Sequence, residues 1–333
     1  MTPRNSLPGV RGALLEGERF LITSHRNPDG DAVGSCLALA AGLSELGKSC
    51  VIASGDGVPM NLAWLPLAEQ VQPAANADHG CDTVVLLDCG AIDRTGLSPE
   101  ALHAGRTLVN IDHHPGNPLF GTANWVDPGA CATAELVYQV LQSLPTPIGY
   151  SAATAIYTGI LTDTGCFRFS NTSARAFQIA AEMLAKGVDP SWVAQMVFDQ
   201  QPIGRLRLLS LVLETLELSP RDKAAAALVT REMFHRTHTG VEGVEGFVNH
   251  TRSLCGVEVG LLLREEAPGR YRVALRSKGR VDVSAIARIY GGGGHHNAAG
   301  ATLDGAPDTL RRELFAHVEE ALDRELLGQR KAG

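Results

Sequence analysis

The chain has 333 residues, of which 44% are hydrophobic and 20% charged, and its formal net charge is −7. This length predicts two domains, and the composition is typical of a folded globular protein. There is no run of about 18 apolar residues and no apolar signal region near the N-terminus, so we expect a cytoplasmic protein without a membrane partner. The acidic balance argues against coating a long nucleic-acid duplex, but it allows a small anion to bind at one focused site.

The first half of the chain alternates short apolar runs with helical patterns. Strands are predicted at Arg19–Ser24, Ser49–Ser54, Asp82–Leu87 and Thr107–Ile111, with a helix at Asp31–Gly47. Because the apolar runs are unbroken, they are typical of strands covered on both faces in a parallel sheet. We therefore expect residues 1–200 to form an α/β domain with a mostly parallel sheet and flanking helices.

The pattern then becomes helical, with helices predicted at Ala130–Leu144, Ala152–Thr162, Ser173–Lys186 and Pro190–Phe198. The amphipathic stretch Ile203–Leu218 predicts a linker helix within residues 201–220. Residues 221–333 are expected to form a smaller α/β domain. Its predicted elements are strands at Ala224–Thr230, Val257–Leu263 and Tyr271–Arg276, a glycine-rich loop at Gly291–Gly294 and a final helix at Asp308–Leu327.

The segment after the first predicted strand carries one imidazole and two carboxylates, at His25, Asp29 and Asp31. Ligands of open α/β sheets bind at the carboxyl ends of the strands, which is where this segment lies. A helix cap would account for one aspartate, but not for the second one or for the histidine. Taken alone, the segment is compatible with both a capped turn and a metal site.

Acidic groups also end other apolar elements. Asp88 ends the third predicted strand, Asp112-His113-His114 ends the fourth, and Asp163 ends an apolar helix. A carboxylate at the end of a buried strand costs free energy unless a cation or hydrogen bonds compensate it, and a helix dipole disfavours an anion at its C-terminal end. Polar turns would explain these groups one at a time, whereas a nearby metal would explain them together.

The charges indicate how many ions such a site would hold. Asp29, Asp31, Asp88 and Asp163 carry four negative charges, which two divalent cations would cancel. Oxygen and imidazole ligands favour Mn²⁺ or Mg²⁺, with Zn²⁺ or Co²⁺ as alternatives, over softer metals. Two ions about 3.5–4 Å apart activate a water molecule and stabilise an in-line displacement at phosphorus. The pattern thus predicts phosphoryl chemistry.

A second candidate site lies in a basic region. From Ala267 to Gly300 the chain has six basic residues and one acid. Successive glycines at Gly291–Gly294 let backbone N–H groups approach an anion, and His295 adds a side-chain donor. The neighbouring pair Arg276-Ser277 offers a guanidinium fork and a hydroxyl to a phosphate. Solubility would explain the charge alone, but this combination favours a site for two or three phosphates.

These motifs resemble those of a known family. His25-xxx-Asp29-x-Asp31, Asp88, Asp112-His113-His114 and Asp163 are similar to the four successive motifs of the DHH phosphoesterase superfamily. The segment Gly291–Gly300 resembles the glycine-histidine motif of the DHH-associated substrate domain. The resemblance covers nearly the whole chain, and the layout is most similar to the nanoRNase/pAp-phosphatase (NrnA-like) type. That type hydrolyses short oligoribonucleotides, 3′-phosphoadenosine 5′-phosphate (pAp) and, in some members, cyclic or linear di-AMP.

The resemblance implies a role for each motif residue. One metal ion would be held by His25, Asp29 and Asp88, and the other by Asp31, Asp88, His113 and Asp163. His114 would face the substrate phosphate, and Asp112 would orient an imidazole; these two are the expected catalytic residues. Substrate would be bound in the second domain by Arg276, Ser277, Gly293, Gly294 and His295. His296 is not required by the motif and is treated as incidental.

The hypothesis that follows is a phosphodiesterase with two divalent ions, Mn²⁺ in preference to Mg²⁺ or Co²⁺, that degrades very short RNA and linear dinucleotides and removes the 3′-phosphate of pAp. A cyclic di-AMP phosphodiesterase would use the same residues and is the alternative. A RecJ-like single-strand DNA exonuclease generally has a further nucleic-acid-binding domain, and a non-catalytic nucleotide sensor would have lost a metal ligand. The resemblance also implies a homodimer.

Overall fold

The computed structural model describes residues 5–74, 80–98, 102 and 106–332, with side chains as far as residue 325. The chain folds into two units, residues 1–200 and residues 201–333. Among the helices described, none is both long enough and apolar enough to cross a membrane.

The first unit is built on a six-stranded sheet. Its strands are β1 (Arg19–Thr23), β2 (Ser49–Ser54), β3 (Gln72–Pro73), β4 (Thr83–Leu87), β5 (Thr107–Asp112) and β6 (Ala123–Val126). All neighbouring pairs are parallel, and the order is β3-β2-β1-β4-β5-β6. The chain therefore winds outward from β1 in one direction and from β4 in the other. The reversal between β1 and β4 is the point where open α/β sheets bind their ligands.

Apolar side chains cover both faces of this sheet, which is why the strand sequences are unbroken apolar runs. Phe20 and Ile22 of β1 and Leu87 of β4 point into the large core shared with the helices. The alternating residues, such as Leu21 and Leu86, pack in a smaller cluster on the opposite face. The helices of this unit are α1 (Leu7–Glu16), α2 (Gly30–Glu45), α3 (Thr133–Ser143), α4 (Tyr150–Asp163), α5 (Ala174–Ala185) and α6 (Pro190–Phe198).

Helices α2 and α4 approach each other closely because Gly34 has no side chain. A Cβ atom at Gly34 would lie 2.5 Å from the carbonyl oxygen of Ala155 and 3.2 Å from the amide nitrogen of Gly159. This contact fixes the first turn of α2, with Asp31, beside the last turn of α4, with Asp163. The helix packing thus brings together two of the predicted ligands.

The second unit contains a smaller mixed sheet. Its strands are β7 (Glu217–Leu218), β8 (Ala224–Val229), β9 (Val259–Ala267), β10 (Arg270–Ser277), β11 (Gly293–His295) and β12 (Ala298–Asp304). The order is β11-β12-β10-β9-β8-β7, and only the β8–β9 pair is parallel among the pairs described. Its helices are α7 (Ile203–Leu213), α8 (Arg231–Thr237), α9 (Val248–Arg252), α10 (Val283–Ile289) and α11 (Pro307–Ala332). The predicted α/β class, with a parallel sheet and a smaller second sheet, is confirmed.

Two predicted elements differ from the structure. The helix expected at Ile203–Leu218 ends at Leu213, because Glu217–Leu218 pairs with β8 instead. Its apolar face, which includes Leu208, is buried in a cluster of the second unit and does not form an isolated linker. The loop expected at Gly291–Gly294 is partly strand, since Gly293–His295 forms an edge hairpin with β12. Helices α1, α8, α9 and α10 and strands β3, β6 and β12 are not among the predicted elements.

Candidate metal centre

The segment that leaves β1 lies beside the reversal of strand order. Asp29 is the N-cap of α2, and its Oδ1 accepts hydrogen bonds from the N–H groups of Asp31 and Ala32, both at 3.0 Å. His25 is 8% exposed, and its Nδ1–H donates to the carbonyl oxygen of Arg26 at 2.8 Å. The other nitrogen, Nε2, then faces Asp88 Oδ2 at 3.3 Å. A helix cap and a predicted ligand position therefore coexist in this segment.

Asp88 lies at the centre of the cluster. It follows β4 with a φ of 52°, and its carboxylate is 2% exposed. Oδ2 faces His25, whereas Oδ1 accepts a hydrogen bond from Thr133 Oγ1 at 3.0 Å and lies 3.6 Å from His113 Nε2. Burial alone would raise the pKa of Asp88, but the hydrogen bond from His25 and the charges of the histidines outweigh it and lower the pKa to about 2. Asp88 therefore stays ionised and presents an oxygen on each side.

His113 is surrounded by three carboxylates. Its Nε2 lies 3.9 Å from Asp31 Oδ2, 3.6 Å from Asp88 Oδ1 and 3.8 Å from Asp163 Oδ2, while Nδ1 contacts the carbonyl oxygen of Ala130 at 3.3 Å. Burial opposes the charged form of the ring, but the three aspartates outweigh it and raise the pKa of His113 to about 9. The position of Nε2 is one that a bound cation would share with the carboxylates.

Asp31 and Asp163, the other two carboxylates near His113, lie close to further negative charges. Both oxygens of Asp31 accept hydrogen bonds at the start of α3, Oδ2 from the N–H of Thr133 at 2.6 Å and Oδ1 from the N–H of Ala134 at 2.8 Å. Burial and the neighbouring charge of Asp88 raise the pKa of Asp31 well above its usual value. Burial and nearby aspartates likewise raise the pKa of Asp163 to about 7. The pKa values of Asp31 and Asp163 are raised because the negative charges of the cluster exceed the positive charge near them. A bound divalent cation would supply the missing positive charge.

The predicted ligands fall into compact groups. Within each group, one ligand atom per residue lies within 4.8 Å of the others. Among the described residues the groups are His25, Asp29 and Asp88; Asp31, His113 and Asp163; and Asp88, His113 and His114. The structure thus brings together all six predicted metal ligands, with Asp88 adjacent to both sets. Their assignment as ligands stays a prediction.

Asp112 and His114 form a hydrogen-bonded pair. His114 Nδ1 lies 2.8 Å from Asp112 Oδ1, and the Asp112 side chain is fully buried. The other oxygen of Asp112 accepts a hydrogen bond from Asn117 Nδ2 at 2.6 Å, and the same amide reaches Asn110 Oδ1 at 2.8 Å. A carboxylate that accepts from Nδ1–H fixes the orientation and the tautomer of the ring. Asn110 and Asn117 were not singled out in the sequence.

Asn171 is a further residue that sequence reasoning missed. Its Nδ2 donates to Asp163 Oδ2 at 3.2 Å and to the carbonyl oxygen of Cys131 at 2.8 Å. The amide therefore holds the Asp163 carboxylate against the segment that precedes α3. No charge or motif marks this neutral side chain, so only the folded chain reveals the contact.

Replacing Asn171 by alanine is expected to raise the Mn²⁺ concentration at half-maximal thermal stabilisation by about 10- to 100-fold, the cost of removing a group that orients a ligand. The melting temperature of the metal-free protein should change little. Gln178→Ala, which removes an exposed amide on α5, is the matched control. Equal Mn²⁺ titrations for Asn171→Ala and the parent would contradict the positioning of Asp163 by this amide.

The predicted substrate residues of the second unit lie at the end of β10 and on β11. Arg276 of β10 and His295 of β11 both pair with Ala298 of β12, so the three side chains lie on the same face of the sheet. Arg276 is half-buried, and burial together with the charge of Arg252 lowers its pKa. No carboxylate of the described residues lies within ion-pair distance of Arg276, a setting that favours an anionic ligand.

The remaining predicted residues of this region have different surroundings. A Cβ atom at Gly294, where φ is 145°, would lie 2.4 Å from the carbonyl oxygen of Ala298, so the hairpin itself requires glycine. Gly293 is exposed on the same strand. Ser277 points to the opposite face from Arg276 and is 2% exposed, and its Oγ accepts from the N–H of Gly279 at 3.0 Å. The structure therefore separates Ser277 from Arg276. His296 Nε2 contacts the Gly279 carbonyl oxygen at 2.8 Å, so it helps to hold the same loop.

Comparison with known proteins identifies the family of the chain. Residues 19–160 match the model of the DHH family, N-terminal domain, and residues 226–324 match that of the DHHA1 domain. The bifunctional oligoribonuclease and PAP phosphatase NrnA of Thermus thermophilus is 36% identical over 313 residues, which cover 93% of this chain and 92% of that protein. The crystal structure of an exopolyphosphatase-related protein from Bacteroides fragilis superposes with a TM-score of 0.87 at 26% identity, covering 98% of this chain and 99% of that one.

A more distant relative is the cyclic-di-AMP phosphodiesterase GdpP of Geobacillus thermodenitrificans, which is 24% identical over 94% of this chain and 48% of its own length. The chain belongs to the DHH family of phosphoesterases and is a hydrolase.

Proposed function

We propose that the chain is a Mn²⁺-dependent phosphodiesterase that hydrolyses RNA of a few nucleotides and linear dinucleotides, and that also removes the 3′-phosphate of pAp. The observation that carries the proposal is the clustering of the six predicted carboxylate and imidazole ligands, with Asp88 next to both sets, at the reversal of strand order. The Thermus thermophilus relative, which this chain matches over 92% of that protein's length, is named an oligoribonuclease and PAP phosphatase. That name supports short RNA and pAp as substrates.

The residues present fit two divalent ions. His25 and His113 each direct Nδ1 to a backbone carbonyl oxygen, which leaves Nε2 toward the carboxylates, the usual arrangement of ligating imidazoles. We assign His25, Asp29 and Asp88 to one ion and Asp31, Asp88, His113 and Asp163 to the other. When bound, a pair of divalent ions lowers the pKa of a water molecule and neutralises charge at the phosphoryl group. Mn²⁺ accepts this ligand set, as do Mg²⁺ and Co²⁺.

The remaining residues would orient the substrate and move protons. Asp112 holds His114 by its Nδ1, so His114 can present a fixed Nε2 toward a phosphate oxygen. In the second unit, Arg276 and His295 share one face and would bind a further phosphate of the substrate. We therefore assign catalysis to residues 1–200 and substrate binding to residues 221–333. The cytoplasmic location and the homodimer stay predictions.

The proposal is tested by incubating the full chain and Mn²⁺ with RNAs of two to about 24 nucleotides, pAp, pApA and cyclic di-AMP. We expect turnover of di- to pentanucleotides and of pAp, with little hydrolysis of longer RNA. Faster hydrolysis of cyclic di-AMP than of pApA would instead support the activity named for the GdpP relative. Failure to hydrolyse di- to pentanucleotides with any of Mn²⁺, Mg²⁺ or Co²⁺ would refute the proposal.

Replacing Arg276 by alanine is expected to raise KM for dinucleotides by about 10- to 100-fold, the cost of losing a charge-assisted hydrogen bond to phosphate, with a smaller change in kcat. Arg272→Ala, an exposed arginine on the same face of β10, is the matched control and should leave KM within a few-fold. Steady-state kinetics at saturating Mn²⁺ separate the two parameters. If Arg276→Ala keeps the parental KM, Arg276 does not bind the substrate.

A further inference from the structure

The segment that leads into α3 contacts three of the candidate ligands. The carbonyl oxygen of Ala130 lies 3.3 Å from His113 Nδ1, and the N–H of Thr133 donates to Asp31 Oδ2 at 2.6 Å. The hydroxyl of Thr133 lies 3.0 Å from Asp88 Oδ1. Thr133 therefore contacts two candidate ligands through two different groups, its backbone amide and its hydroxyl.

The hydroxyl of Thr133 differs in its partner from those of other buried threonines. A threonine inside a helix can donate to a carbonyl oxygen one turn earlier, as Thr154 and Thr158 of α4 do at 2.9 and 2.8 Å. Thr133 is the first residue of α3, so no helical turn precedes it. The residue is fully buried, and its hydroxyl donates to the ionised carboxylate of Asp88. A buried hydroxyl is thus committed to the carboxylate at the centre of the cluster.

The orientation of the Asp88 carboxylate depends on its hydrogen bonds. Rotation about the Cβ–Cγ bond of aspartate is broad, so the intrinsic preference of the side chain does not fix the plane of the two oxygens. Oδ2 faces His25 Nε2 at 3.3 Å, whereas Oδ1 lies 3.6 Å from His113 Nε2. The Thr133 hydroxyl occupies one lone pair of Oδ1 and leaves the other for a cation. Because this donor is neutral, it orients the oxygen without repelling an ion.

We propose that Thr133 is the positioning residue of the shared carboxylate; this rests on the two-ion centre of the proposed function. The hydroxyl fixes the plane of the Asp88 carboxylate so that one oxygen faces each ligand set, and the N–H holds Asp31 at the same time. Thr133 binds neither an ion nor the substrate. Since it acts through Asp88, loss of its hydroxyl weakens the affinity for the ions and leaves the affinity for the substrate unchanged.

The test is a Mn²⁺ titration of the full chain, followed by thermal unfolding and by dinucleotide hydrolysis. Thr133→Val removes the hydroxyl but keeps the shape and the N–H, and it is expected to raise the Mn²⁺ concentration at half-maximal thermal stabilisation by about 10- to 100-fold. At saturating Mn²⁺ its KM for the dinucleotide should be parental. Thr133→Ser keeps the hydroxyl and should retain the parental titration. Thr158→Val is the matched control, since Thr158 is equally buried but donates to the Thr154 carbonyl oxygen, and its Mn²⁺ titration should be unchanged.

Thr133→Ala also lacks the hydroxyl, so it should weaken Mn²⁺ binding as Thr133→Val does, and it replaces that variant if valine prevents folding. Parental titrations of the variants without the hydroxyl would overturn the proposal. Equally weak Mn²⁺ binding by Thr133→Ser would also overturn it, because packing at this position would then account for the effect. If Mn²⁺, Mg²⁺ and Co²⁺ all fail to stabilise the parent, the metal centre fails and this inference fails with it. A parent that binds Mn²⁺ but hydrolyses no oligonucleotide would refute only the proposed substrates, and the Thr133 titrations would still decide this inference.

Discussion

Replacing Asp88 by asparagine is expected to lower kcat/KM by about 10³-fold or more while the chain remains folded. Asparagine has nearly the same shape and can still accept the hydrogen bond from Thr133 Oγ1, so the packing is conserved. The charge that faces both His25 and His113 is lost, however. A pair of ions contributes several kcal/mol of charge stabilisation in the transition state, and each 1.4 kcal/mol is a factor of ten in rate.

The measurement combines steady-state kinetics on a dinucleotide with Mn²⁺ titration followed by thermal unfolding. The parent should gain stability as Mn²⁺ is added, because a ligand that binds only the folded state raises the free energy of unfolding. Asp88→Asn should lose most of this gain. Asp189→Asn, at the N-cap of α6, is the matched control, since asparagine caps a helix about as well as aspartate does. Parental activity in Asp88→Asn would exclude a shared ligand at this position.

The second large effect is expected from a residue that touches no ligand. Gly34→Ala would place a methyl group 2.5 Å from the Ala155 carbonyl oxygen. That oxygen belongs to the backbone of α4, so it cannot rotate away as a side chain could. The helices must separate, at a cost of about 1–3 kcal/mol in the free energy of unfolding. Because α2 carries Asp31 and α4 carries Asp163, the same shift should raise the Mn²⁺ concentration required for activity by about 10-fold or more.

Urea unfolding in the presence of a chelator measures the free energy of unfolding of the metal-free protein. Activity as a function of Mn²⁺ concentration measures the change in the Mn²⁺ requirement. Gly12→Ala in α1 is the control, because a Cβ atom there has no neighbour within 4 Å. This substitution should stabilise the protein by about 0.5–1 kcal/mol, the usual difference between alanine and glycine inside a helix. An unchanged urea midpoint in Gly34→Ala would mean that the α2–α4 contact is not rigid.

The sequence was most informative where structure is local. Strand β2 was predicted with its observed bounds, because the apolar run Ser49–Ser54 lies between glycines that end it on both sides. The candidate ligands at strand ends were also predictable, since parallel strands deliver their carboxyl ends to one edge of the sheet. Asp163 is different, because it reaches the cluster only through the close packing of two helices.

Other features depend on contacts between distant segments. The amphipathic pattern continues beyond Leu213, so only the pairing of Glu217–Leu218 with β8 shows where the helix ends. The amides of Asn117 and Asn171 carry no charge and no motif, and their roles arise from folding. Ser277 is a different case: the predicted strand ends at Arg276, whereas the observed β10 includes Ser277, and neighbours in a strand point to opposite faces.

The order of the cluster along the chain has a consequence for biosynthesis. The first candidate ligand is His25 and the last is Asp163, so a nascent chain that ends before α4 lacks part of the cluster, however well its first strands have formed. Metal uptake is then a late event that follows near-completion of the first unit. A ribosome-bound fragment truncated before residue 150 is expected to bind Mn²⁺ much more weakly than the finished chain, and uptake of the ion would report that synthesis has passed this point.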